Sequence, residues 1–256
     1  MNQYNNIIAI AKNTFRETIR DKILYGILAF AFLFLGSTIF FGSISLGEDI
    51  KVVKDFGLAG IYIFSIIIAI FLGTSLVYKE IERKTLYIIF SKPVAIYQFV
   101  VGKFFGLWLS ITLNVLLMTI VHLIIVKIKG GGFDLIALYA ILLLIFELAV
   151  FVALTILFSS VTTPLAGTIF SIIILYIGHS LEMLKKYAEK ASEAMKIFAN
   201  TVYYILPNLE KFNLRNSVVH DVTPSSGQVI YPILYSILYV VVLLWASSLA
   251  LKKQDL

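Results

Sequence analysis

Two places in this chain put ionisable side chains where they could do work. Glu147 lies inside the run ILLLIFELAVFVALTILF, the middle of an apolar stretch long enough to cross a bilayer. A carboxylate at that depth costs about 2.5–3.5 kcal/mol, so it must face protein or water, or carry a proton. One reading makes Glu147 an intramembrane path or gating residue. The other makes it a helix-to-helix hydrogen bond to Asn114, Thr112 or Thr168. The second place is Tyr78–Lys103, which holds Lys79, Glu80, Glu82, Arg83, Lys84, Lys92 and Lys103 around a mostly apolar centre, Thr85–Phe90. A plain loop has no need of that centre. A short helix at the membrane surface, with one face on the bundle and one on a soluble partner, does.

Other chemistry is missing from the sequence. It has no G-x-x-x-x-G-K-[ST] loop for nucleotide and no H-E-x-x-H. There is no cysteine, so there is no disulfide framework and no thiolate metal site. His122, His179 and His220 are scattered, and Gly130–Gly132 beside Asp134 reads as a tight turn. The chain is therefore expected to hold no catalytic residue, no cofactor and no metal. His122 and His179 are expected near the outer ends of their spans, away from the acidic pair Glu80 and Glu82 at the inner surface.

Composition sets the elements that must position these residues. The chain is 60% hydrophobic and only 14% charged over 256 residues, with mean hydropathy +0.95. Soluble domains carry about a quarter charged residues, so a lipid solvent is implied. Six apolar spans follow one another: Ile23–Gly42, Phe56–Val77, Phe104–Val126, Leu135–Phe158, Leu165–Leu181 and Val229–Leu251. About 20 apolar residues cross a bilayer as a helix, the form that satisfies its own backbone there. The expected fold class is an all-α integral membrane protein, one transmembrane domain over residues 1–256.

Three further segments accompany the spans. Residues 2–20 form an amphipathic interfacial helix, with Tyr4, Ile8, Ala11, Phe15 and Ile19 on one face and Lys12, Arg16 and Arg20 beside it. It is either a simple anchor or an elbow packed against the bundle. Residues 78–103 are the charged segment already described. Residues 182–228 form an outer segment whose first half is helical. Its stripe Leu181, Leu184, Ala188, Ala191, Met195, Phe198, Val202 and Ile205 suits packing on another helix. Pro207 ends that helix, Asn208, Asn213 and Asn216 suit turns and caps, and Tyr203 with Tyr204 suits an interfacial belt. Eleven basic residues fall on the side of the N-terminus, the 78–103 segment and the tail. The short opposite connections hold four. The long outer segment holds six and weakens the bias; the first helix and second connection still put both termini inside. The net charge of +6 suits lipid headgroups rather than nucleic acid.

The runs Y-K-E-I-E-R-K-T-L, F-S-K-P-V and Y-Q-F-V-V-G-K-F-F-G between Tyr78 and Gly106 resemble the cytoplasmic segment of ABC-2 type transporter permeases. The six spans, the N-terminal helix, the connection S-S-V-T-T-P and the outer stretch L-P-N-L-E-K-F-N-L-R-N are similar as well. That last stretch resembles the branch containing the permease of nitrous-oxide-reductase copper maturation. The branch's cargo does not carry over, because metal-binding residue types are sparse here. The resemblance implies a coupling helix whose Glu80, Glu82, Arg83, Thr85 and Leu86 lie at or beside the interface with an ATPase subunit. It also implies two such ATPase subunits, which bind the ATP and Mg, and a second permease chain, expected to be an identical copy. The complex would lie in the inner (cytoplasmic) membrane, with a possible extracytoplasmic partner at 182–228. Two rival functions remain: a structural subunit docking such a partner, and a membrane-embedded hydrolase, which needs Glu and His at one depth.

Overall fold

The structure, a computed structural model, describes residues 3–45, 48–82, 94–132 and 134–253. It is all helical, with six helices long and apolar enough to span a membrane. In chain order the elements are α1 (Gln3–Ile19), α2 (Lys22–Ile44), α3 (Asp49–Leu76), the short α4 (Tyr78–Glu82), α5 (Ile96–Ile128), α6 (Leu135–Val161), α7 (Pro164–Ala188), α8 (Glu193–Ile205), a 3-10 turn (Glu210–Phe212), α9 (Arg215–Val219) and α10 (Ser226–Lys252). The spans are α2, α3, α5, α6, α7 and α10, in agreement with the sequence reading. The chain is a multi-pass membrane protein.

Helix ends follow from local chemistry. Asp21 caps α2 by accepting from the Ile23 amide at 2.9 Å. Asp134 caps α6 by accepting from the Ile136 and Ala137 amides. Ser225 and Gln228 form a reciprocal capping box on α10. Gly130, with φ of +83°, makes the turn out of α5, where the Gly131 amide returns to the Val126 carbonyl at 2.9 Å. The expected tight glycine turn is present.

Burial separates the spans into two layers. Most of α3 and α6 is inside the bundle, whereas α2, α7 and α10 turn most of their surface outward. Outward apolar side chains such as Phe30, Leu33, Leu165 and Leu238 are about 70% exposed. In water such a surface would aggregate; in lipid it is solvated. The end of the bundle carrying α1 and α4 is called proximal below, and the end carrying α8 and the 3-10 turn distal.

At the proximal end α1 packs along α5, as the elbow reading required. Gly102 and Gly106, four residues apart on α5, let the two backbones approach. A Cβ on Gly102 would lie 2.7 Å from Ile10 Cβ, and one on Gly106 would lie 2.5 Å from the Ala11 carbonyl. The Asn6 amide also donates to Gln98 at 3.2 Å. The face of α1 that is buried differs from the expected one. Thr14 and Thr18 are buried and Ile8 is 63% exposed, while Ala11, Phe15 and Ile19 are half-buried. Close backbone contact selects small residues, and that shifts the contact line away from the apolar stripe.

Four boundaries also differ from the sequence reading. The helix of α3 begins at Asp49 rather than Phe56. The helix of α5 begins at Ile96, not near Phe104, so Lys103 lies buried inside a helix rather than at the end of a surface segment. Gln98 closes its first turn by accepting from the Ala95 amide at 3.2 Å. The helix of α7 runs on to Ala188, beyond Leu181. The outer helix is then broken by the 189–192 turn, where the Ala191 amide bonds the Ala188 carbonyl, before α8 starts. The expected stripe is split with it: Leu181 and Ala188 are buried, but Met195, Phe198 and Ile205 on α8 are exposed.

Candidate functional site: a carboxylate, imidazole and phenol cluster inside the bundle

Glu147 is held on the central helix α6, twelve residues from its start and so roughly 18 Å along it. It is 2% exposed. Tyr62, thirteen residues into neighbouring α3, donates its hydroxyl to Glu147 Oε1 at 3.1 Å. His179 from α7 places Nε2 3.1 Å from the same oxygen and 2.6 Å from the Tyr62 hydroxyl. Its ring meets that of Tyr62 edge-on at 5.7 Å. Two of the three partners foreseen for Glu147 are occupied elsewhere: Asn114 donates to the Ser110 carbonyl and Thr168 to the Pro164 carbonyl. Each side chain instead closes a turn of its own helix, since a short polar group reaches its own backbone first.

The distal segment completes the cluster. After α8 the chain turns back into the bundle instead of staying on its surface. Asn208, Leu209, Phe212, Leu214 and Val218 are all buried. The Leu209 amide donates to the Gly178 carbonyl at 3.1 Å, and the Asn208 amide donates to the Tyr235 hydroxyl at 2.9 Å. Gly178 has no room for a Cβ, which would lie 2.9 Å from the Pro207 carbonyl. This plug carries Glu210 to His179, with Oε2 2.9 Å from Nδ1, and Glu210 Oε1 accepts from Asn213 Nδ2 at 3.0 Å. His179 thus bridges two carboxylates through its two ring nitrogens. Asn213 also accepts from the Arg215 amide in the turn that leads into α9, whereas Asn208 is a buried residue rather than a surface turn.

Beside the cluster is a cavity of about 200 Å³, lined by Leu58, Tyr62, Ala140, Ile141, Leu144, Glu147, His179 and the plug residues Phe212 to Arg215. At its distal end the Arg215 Nε is 2.5 Å from Asp55 Oδ1. Nearby, the buried Lys54 ammonium lies 2.8 Å from both Asp134 and Asp221, tying α3 to the α6 cap and to the turn before α10. His122 is buried against Gly57, where its ring occupies the space a Cβ would need.

The charged segment is described only in its first turn. The Ser159 hydroxyl on α6 accepts from the Val77 and Tyr78 amides, both at 3.0 Å, where α3 gives way to α4. Glu80 turns inward, with its Oε1 2.5 Å from the Lys103 ammonium, while Glu17 of α1 is 3.7 Å from the same ammonium. Glu82 is exposed. Arg83, Thr85 and Leu86 lie outside the described residues. The structure therefore does not gather the expected site residues in one place: Glu147 is deep in the bundle and Glu80 and Glu82 are at its proximal end.

The model of a family described as ABC-2 family transporter protein matches residues 8–256. The chain belongs to that family. No curated protein matches it. The ABC-2 family is one of membrane permease subunits of ABC transporters, not normally catalytic themselves, whose general partner is an ABC ATPase. One sequence argument against a membrane-embedded hydrolase is corrected by the structure, because Glu147 and His179 do meet at one depth. In this ABC-2 permease, however, the shared Oε1 of Glu147 is already taken up by Tyr62 and His179. Tyr62, His179 and Glu210 were missed as cluster members. The available signal was positional: Tyr62 and Glu147 lie at matching depths in adjacent spans.

Proposed function

We propose that this ABC-2 permease chain is one of two, together with two ATPase subunits, and that hydrolysis in trans drives export or force transmission. The family match over 8–256 carries this reading. In it the proximal end is cytoplasmic, both termini lie inside, and the membrane is the inner one. The segment 78–103 docks on the ATPase, with Glu82, Arg83, Thr85 and Leu86 at or beside the contact. Glu80 then acts behind the contact, since its pairing with Lys103 ties the segment to α5 and α1. Movement of the docked helix would reach α3 through the α3–α4 junction and α5 through Lys103, a rigid-body change biased by a nucleotide this chain never touches. The similarity of the plug sequence to the copper-maturation branch is consistent with its structural part here, and implies no metal cargo.

The test is a detergent pull-down from native membranes with wild type beside Glu82→Arg. Co-purification of a soluble ATPase with the wild type, and its loss with the variant, is the expected result. Retention in both would move the interface elsewhere. Absence from both would favour a structural subunit, for which the distal segment 182–228 is the dock.

A further inference from the structure

The cluster around Glu147 leaves one carboxylate oxygen without a partner among the described residues. The two ring nitrogens of His179 lie on Glu147 and Glu210, the Tyr62 hydroxyl donates to Glu147 and the Asn213 amide donates to Glu210. Both bonds to Glu147 fall on Oε1, so Oε2 has no donor from the described residues although the side chain is only 3% exposed and lines the cavity. That oxygen opens on the cavity, where a ligand can supply its donor. Glu147 and Glu210 share a single imidazole, and the guanidinium lining the cavity, Arg215, is engaged by Asp55, so a cationic head would meet an acceptor and no free opposing charge.

The rest of the cavity specifies the body of that ligand. Leu58, Ile141, Leu144 and Phe212 form its walls. Ala140 lies seven residues before Glu147 on α6, so the cavity spans roughly 10 Å along that helix. Its volume of about 200 Å³ falls below the roughly 300–1,000 Å³ of sites for drug-sized ligands. It therefore suits a ring or short chain with one polar head. We propose that this cavity binds a small organic cation, its ammonium on Glu147 Oε2 and its apolar body between Leu58, Leu144 and Phe212. The site lies within one chain and does not depend on the transporter reading; were that reading correct, it would name the ligand class.

The test uses the full chain in lipid nanodiscs, titrated calorimetrically with 2-phenylethylammonium and, separately, with 2-phenylethanol. These probes share a body and differ in the head. The ammonium is expected to bind about tenfold tighter, the usual margin of a charge-assisted over a neutral hydrogen bond. Glu147→Gln should remove that preference, and Ala140→Phe, which fills the cavity near its distal end, should abolish binding of both probes. Equal affinity for the two probes in the wild type would overturn the cationic assignment, with a protonated carboxyl as the explanation. Binding that survives Ala140→Phe would overturn the site itself, including where Glu147→Gln cannot be purified. Both titrations omit the ATPase, so a negative result leaves the pull-down outcome untouched.

Discussion

Glu80, on the short helix that follows α3, reaches 2.5 Å across to the ammonium of Lys103, whose side chain is 2% exposed within α5. The charged segment is thereby joined to a neighbouring span at its root. Lys103 also lies 5.7 Å from the Phe99 ring and 3.7 Å from Glu17. Removing the partner of a buried charge costs about 3–5 kcal/mol, whereas removing both members can be nearly neutral. Glu80→Ala is expected to destabilise the chain by about 2–4 kcal/mol, with Glu17 left as a weaker partner. Adding Lys103→Met should restore most of that loss. Denaturant midpoints of the single and double variants in detergent measure it; equal losses in both would show that the pair is not coupled.

The α1–α5 contact makes a steric prediction. A Cβ on Gly106 would meet the Ala11 carbonyl and Thr14, neither of which can rotate away cheaply. Gly106→Val should therefore cost about 1–3 kcal/mol by overpacking and should release α1 from the bundle. Gly36 on α2, where a Cβ would meet nothing within 4 Å, is the control. Limited proteolysis of the first 20 residues should accelerate in Gly106→Val and stay unchanged in Gly36→Val.

The plug makes another. Gly178 carries the carbonyl that the Leu209 amide needs, and its missing side chain makes room for Leu209 and the Pro207 carbonyl. Gly178→Val is expected to expel the plug and to separate Glu210 from His179. Amide hydrogen exchange over 207–218 should then rise by one or more orders of magnitude. Unchanged protection there would mean that the plug is held by Phe212 and Tyr235 alone.

Within the cluster, Tyr62 and His179 share one oxygen of Glu147. Such sharing predicts non-additive losses. Tyr62→Phe and His179→Ala should show a coupling of about 0.5–3 kcal/mol in a double-mutant cycle. Glu147→Leu strips Tyr62 and His179 of their shared acceptor and should cost about 1–3 kcal/mol. If Glu147 serves ligand binding, that variant should also lose response to 2-phenylethylammonium.

At the distal end, Lys54 pairs with Asp134 and Asp221 together. Asp134 is also the cap of α6, and its side chain is only 9% exposed. Lys54→Met should cost about 3–5 kcal/mol by leaving Asp134 as an uncompensated buried charge. Adding Asp134→Asn keeps a capping oxygen while removing the charge, and should recover more than half of the loss. Thermal midpoints of the three variants decide this; a further loss on adding Asp134→Asn would refute the charge argument.

Much of this molecule was determined by composition and order along the chain. An apolar run in lipid has one way to satisfy its backbone, so six spans and their approximate limits followed directly from Ile23, Leu135 or Val229 onward. The same holds for the end of α8 before Pro207, the glycine turn at Gly130 and the burial of Glu147 in α6, because each rests on neighbours in sequence. What only the tertiary structure decided is where polar atoms from distant segments meet. Hydropathy ranks Tyr62, His179 and Glu210 as unremarkable, and nothing local tells that a plug from beyond α8 will bring Glu210 to His179. Lys103 reads as surface charge until Glu80 and Glu17 are seen around it. A hydrogen bond between side chains far apart in sequence depends on helix rotation and depth to within about an ångström. Those are set by packing, such as the glycine contacts of Gly102, Gly106 and Gly178, and packing is a property of pairs of helices rather than of any one stretch.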